Sequence, residues 1–150
     1  MTKEITVKPS RGEVTQEKLQ EKLMLFQLME RHLEALKQQE ALAEARMMEL
    51  ESTRNALEEV GKLKDDNETL IPLGSGFYAR GRVTGKDILT ELGASVMTEK
   101  SVRDALAFLE LKSGELRKVM EQIAGQAGDI VDKLNRLGPE LQRMAEQVQQ

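Results

Sequence analysis

Two stretches of the chain repeat apolar residues at helical spacing, and the stretch between them does not. In the first, a heptad places one core position at Leu19, Phe26, Leu33 and Met47 and the other at Met29, Leu36, Ala43, Leu50 and Leu57. Lys22, Glu40 and Arg54 fall on the same seam and interrupt it. In the second, alternating steps of four and three visit Val102, Leu106, Leu109, Ser113, Leu116, Met120, Ile123, Ala127, Ile130, Leu134, Leu137, Leu141, Met144 and Val148. Only Ser113 is polar there, and the residues between are mostly charged or Gln, as a narrow coiled-coil seam requires. Each stretch holds roughly 48 residues, or ~72 Å of helix. Equal helices joined by a connector predict an antiparallel hairpin in which each seam buries the other. Parallel dimerisation of each helix would leave the equal lengths a coincidence.

Glycine and proline set the boundaries. Residues 1–12, interrupted by Pro9, Ser10 and Gly12, read as a flexible N-terminal extension. Helix 1 is expected over 13–60, the connector over 61–100 and helix 2 over 101–150, all within one domain. Ser101 with Asp104 fits a capping box and places the start of helix 2. Gly138-Pro139 predicts a kink or frayed last turns, because proline removes a backbone donor and clashes with the preceding turn.

The connector has the alternation of strands. Thr69–Leu73 and Phe77–Val83 flank Gly74-Ser-Gly76, and Ile88–Leu92 and Ser95–Glu99 flank Gly93-Ala94, which predicts two β-hairpins. Pro72 cannot donate to a ladder, so its strand lies at an edge or a bulge. Four short strands bury too little apolar surface to stand alone. Leu70, Phe77, Val83, Ile88, Leu92 and Val96 are therefore expected to drive association through this region. The fold class is α+β: a long antiparallel coiled-coil hairpin with two β-hairpins inserted between its helices.

Composition narrows the chemistry. Half the chain is Ala, Glu, Lys, Leu or Arg, as long helices demand. Without cysteine there is no disulfide or zinc-thiolate site, and a reducing cytoplasm is the expected home. His32 is the single histidine, which excludes His-based metal clusters and Ser-His catalysis. It sits beside Leu33 on a solvated flank. A net charge of −4, with both helical stretches acidic, argues against nucleic acid as partner. No stretch of the sequence is apolar enough for a membrane span. Gly74-Ser-Gly76 lacks the Lys-Ser/Thr of a phosphate loop and reads as a turn. Glu58-Glu59 and Asp65-Asp66 have nothing convergent beside them, so an enzyme, a cofactor and a metal are not expected. Leu23, Met24, Leu25 and Leu28 are more apolar residues than the first seam can use, and are the one surplus in the chain.

Leu70-Ile-Pro-Leu-Gly-Ser-Gly-Phe-Tyr78, then Leu92-Gly-Ala-Ser-Val96 running into Glu99-Lys-Ser101 and a heptad helix, resembles the prefoldin alpha subunit of archaeal type. The likeness covers about 14–148, and two hairpins between the helices match the alpha class. Ser95 departs from it, standing where the second turn usually has glycine. The resemblance implies a chaperone without ATPase activity, assembled with prefoldin beta subunits as a hexamer of two alpha and four beta subunits. Such a chaperone captures unfolded client proteins at coiled-coil tips and delivers them to a group II chaperonin. On this chain the tip would comprise Leu19, Leu23, Met24, Leu25 and Leu28 with Leu137, Leu141, Met144 and Val148. A coiled-coil scaffold or adapter that holds no client is the alternative function for the same fold.

Overall fold

The computed structural model describes residues 14–85 and 87–150; the N-terminal extension expected over 1–12 lies outside them. The elements run α1 (Gln16–Lys62), β1 (Asn67–Gly74), β2 (Phe77–Val83), β3 (Asp87–Gly93), β4 (Val96–Ser101) and α2 (Val102–Gln149). Thr15 caps α1, its hydroxyl accepting from Lys18 N–H at 3.3 Å, and Ser101 caps α2 by accepting from Asp104 N–H at 3.1 Å. The chain divides into two compact units. One joins the residues up to Glu40 with Glu121–Gln150, and the other is Ala41–Met120.

In the first unit the helix segments run antiparallel. Lys22 pairs with Glu140, Phe26 lies against Gly138, and Leu36 packs on Ile123 and Ile130. Met29, Leu33, Ala127 and Leu134 flank that cluster. In the second unit Arg54 meets Glu110 at 3.6 Å and Gly61 lies against Val102, the same antiparallel order. From Gln16 to Glu59, every residue off the heptad seam is exposed. On the seam only Arg54 is. A two-helix seam makes a thin core. Leu36, at 3% exposure, is its most buried side chain.

Two of the three misfits reach a charge on the other helix. Lys22 lays its stem along the seam and reaches Glu140, while Arg54 turns out to Glu58 and Glu110, each at 3.6 Å. The last turns do not fray at Gly138-Pro139, and α2 stays helical through it to Gln149. Pro139 and Asn135 both face solvent, so the carbonyl that loses its donor can be hydrated.

The four strands form two separate two-stranded sheets, β1 with β2 and β3 with β4, both antiparallel. Their construction is the same. Each register slips beside the turn, between Pro72 and Gly74 and between Glu91 and Gly93, which leaves Leu73 and Leu92 as bulge residues. Pro72 thus sits beside a bulge, as the sequence requires. Each turn follows a glycine at positive φ, Gly74 (100°) or Gly93 (114°), with two more such residues, Ser75 (51°) and Gly76 (83°) in one, Ala94 (49°) and Ser95 (63°) in the other. Paired positive angles match the twist of a tight hairpin. Ser95 is therefore a turn residue, not the first residue of its strand, and β4 begins at Val96. At Gly81 a Cβ would stand 2.7 Å from Cδ1 of the exposed Ile71, whose side chain folds across it and would have to turn aside.

Candidate functional site

Among the described residues, exposed apolar side chains gather on α1 in the first unit and on the hairpins in the second, and Leu42, Met48, Leu111 and Val119 are exposed along the helices as well. In the second unit, alternation along β2 puts Phe77, Ala79, Gly81 and Val83 on one side of the hairpin and Tyr78, Arg80 and Arg82 on the other. On β1, Leu70 shares the side of Tyr78 and Arg80. On the other hairpin, Ile88, Thr90, Thr98 and Lys100 are half-buried, while Leu89 and Met97 stand out on the opposite side. Lys100 and Lys112 lie 4.0 and 5.1 Å from the centre of the Phe108 ring. An open groove of about 630 Å³ lies among Arg46, Leu50, Thr53, Leu92, Phe108 and Lys112.

Of the expected assembly residues, Leu70, Phe77, Leu92 and Val96 are exposed and Val83 and Ile88 are half-buried. Phe77 is 70% exposed, although a phenylalanine side chain gains most from burial. The sequence reading overlooked Ile71, Leu73, Tyr78, Leu89 and Met97, all exposed as well. The two bulges explain part of this. Each adds a residue beside the turn and places a leucine there that strict alternation would have assigned differently. Each sheet has only two strands, so both of its edges are open, and a lone hairpin is marginal in water.

In the first unit, Leu23, Met24, Leu25 and Leu28 all face solvent on α1, with Met24 at 69% and Leu28 at 63% exposure. Met24, Leu25, Gln27, Leu28 and Arg31 line a shallow groove of about 390 Å³. Arg31 is the one charge in it. The rest of the expected client surface lies in the seam: Leu19, Leu137 and Val148 are half-buried, and Leu141 and Met144 are buried. While the two helices stay paired, those last two are core residues and touch nothing outside.

Elsewhere the polar chemistry is ordinary. Glu59 accepts a hydrogen bond from Lys62 at 3.0 Å and holds that amine above its usual value, on an exposed last turn. Among the described residues no cluster of His, Asp and Glu could hold a metal ion. No helix among them is long and apolar enough to cross a membrane.

The arrangement has known counterparts. The prefoldin subunit family model matches residues 29–147. The chain is 28% identical over 127 residues to the prefoldin subunit alpha of Pyrococcus horikoshii, covering 83% of each chain. It is 27% identical over 105 residues to that of Thermofilum pendens, covering 69% of this chain and 81% of the relative. In fold it is similar to filamentous PFD from Methanocaldococcus jannaschii, with a TM-score of 0.67 at 17% identity over 77% of this chain and 96% of that one.

Proposed function

The chain belongs to the prefoldin family of chaperones, and from that premise we propose that it is the alpha-class subunit of a hetero-oligomer that holds unfolded polypeptides at the paired ends of its helices. The observation that carries the reading is the exposed cluster of Leu23, Met24, Leu25 and Leu28 beside an already complete seam. An unfolded chain offers scattered apolar groups and no fixed shape. Flexible methionine and leucine on an open surface suit such a partner better than a sculpted pocket does. Each contact is worth only ~1–2 kcal/mol, so holding requires several subunits acting together.

The two hairpins supply that multiplicity in this reading. Their open edges and exposed Phe77, Tyr78, Leu89 and Met97 recruit beta subunits, two alpha and four beta in the assembly, and the held client passes to a group II chaperonin. The subunit works in the cytoplasm, without cofactor, metal or catalysis.

The test replaces Met24 and Leu28 with serine in a complex assembled with beta subunits. Both side chains already face water, so the substitutions leave fold and assembly unchanged. Light scattering of denatured lysozyme diluted into buffer should rise toward the chaperone-free level. Equal protection by the variant complex would move the client surface elsewhere. No protection by either complex would favour a scaffold.

A further inference from the structure

The first turns of α1 present one face with an ordered chemistry. Glu17, Glu21, Met24, Leu28 and Arg31 follow one another at steps of four and three, so they lie in line along the helix, and all five are exposed. Met24, Leu28 and Arg31 belong to the shallow groove of about 390 Å³. From the helix start upward, the face is acidic, then apolar, then basic.

The residues that precede α1 carry the complementary order in reverse. Going back from Pro9, the sequence reads Lys8, Val7, Thr6, Ile5 and Glu4: a base, two β-branched apolar residues around a threonine, and an acid. Between them and α1, Pro9-Ser10-Arg11-Gly12 has the composition of a turn. A chain reversed there runs antiparallel to α1. That order sets Lys8 against Glu17 and Glu21, Val7 and Ile5 against Met24 and Leu28, and Glu4 against Arg31. The length suffices as well. Arg31 lies ~26 Å along the helix from Val14, and thirteen extended residues reach at most ~45 Å.

We propose that residues 4–8 fold back onto α1 and occupy the groove from Met24 to Arg31, a tethered occupant that a client must displace. This rests on the chaperone reading above and adds a regulator to the same surface. Ion pairs at an exposed groove rim contribute little to affinity, so Lys8 and Glu4 serve to fix direction. Val7 and Ile5 supply the apolar contact, on side chains that adapt to an aliphatic partner. Two such residues bind weakly, but the short tether holds them at an effective concentration in the millimolar range. The cover restrains contact between the apolar patches of neighbouring copies. It yields to a client that brings more apolar residues at once.

The test compares the full chain in its assembled complex with the same complex carrying Ile5→Ser and Val7→Ser. Both positions precede Thr15, which caps α1, so the helix keeps its start. Methyl NMR without client reads the docking: the Met24 signal should move on substitution, while that of Met48, equally exposed in the other unit, should not. Half-maximal protection of denatured lysozyme should then need about two- to fivefold less complex, since the tethered competitor is gone. An unmoved Met24 signal would overturn the docking. A Met24 signal in the parent that depends on protein concentration would give the groove to a second copy of the chain instead. A moved signal with unchanged protection would overturn the competition, and weaker protection would make Ile5 and Val7 part of the client surface. Because the methyl signal is read without client, it decides the docking even if the Met24→Ser, Leu28→Ser complex protects as well as its parent and the surface assigned above fails.

Discussion

The second hairpin turn contains a strain that one substitution should relieve. Ala94 and Ser95 hold φ of 49° and 63°, in the left-handed region, where a Cβ crowds the following carbonyl at a cost of roughly 1–2 kcal/mol per residue. The first turn meets the same geometry with Gly76 at its second position. Ser95→Gly removes the Cβ, and the gain is partly offset by the greater freedom of glycine in the unfolded chain, roughly 0.5–1 kcal/mol. A net stabilisation of about 0.5–1 kcal/mol remains, equivalent to about 2 °C in midpoint for a chain of this size. Ala94→Asn added to it gives Asn-Gly, the strongest pair for this turn, and should raise the midpoint further.

Thermal unfolding by circular dichroism reads the change, and hydrogen exchange places it: amides of Asp87–Ser101 should gain protection while those of β1 and β2 do not. The mirror substitution, Gly76→Ala, forces a Cβ into φ of 83° and should cost about 1 kcal/mol. A Ser95→Gly chain no more stable than the parent, together with a harmless Gly76→Ala, would refute the assignment of strain to these angles.

Other outcomes follow from burial and charge. Phe77→Asp with Ile88→Asp places charge on surfaces meant to be covered and costs several kcal/mol of assembly, by order of magnitude; size-exclusion chromatography should show the oligomer lost and circular dichroism the helices retained. Lys22→Leu fills a seam position now held by a half-exposed ion pair and should stabilise the chain by about 1 kcal/mol in urea, since such pairs contribute little and Glu140 can be hydrated. Leu36→Ala empties the most buried position and should cost about 2–4 kcal/mol in the same assay. Cysteines at Leu19 and Met144 should crosslink within one chain; exclusive crosslinking between chains would defeat the antiparallel pairing.

Most of the fold could be read from periodicity, because a two-helix seam has little tertiary context to override it. The misfits Lys22, Glu40 and Arg54 were legible as misfits, but not the partners of Lys22 and Arg54, which depend on which residue of the other helix each side chain reaches. Pro139 shows the limit of a local rule. Proline ends a helix when nothing else holds the turns together, and here seam contacts on both sides, Leu137 and Leu141, hold α2 through it. The hairpins were legible in number and place. Their bulges were not, since a one-residue slip leaves no mark on composition yet moves a leucine beside each turn. Exposure was the least legible of all. Periodicity marks Leu141 and Met144 as seam and Leu25 and Leu28 as surplus, but only the packed helices show that the first pair is covered and the second is free.

That division has a physical consequence for the assembled protein. A larger exposed patch of leucine and methionine would invite association between the chaperones themselves. With Leu141 and Met144 buried in the seam, the exposed apolar residues of this unit stay largely on α1. Leu28→Ser should therefore weaken client holding in the assembled complex while leaving the seam and the helix content unchanged. Unaltered holding by that variant would move the client surface off this face of α1.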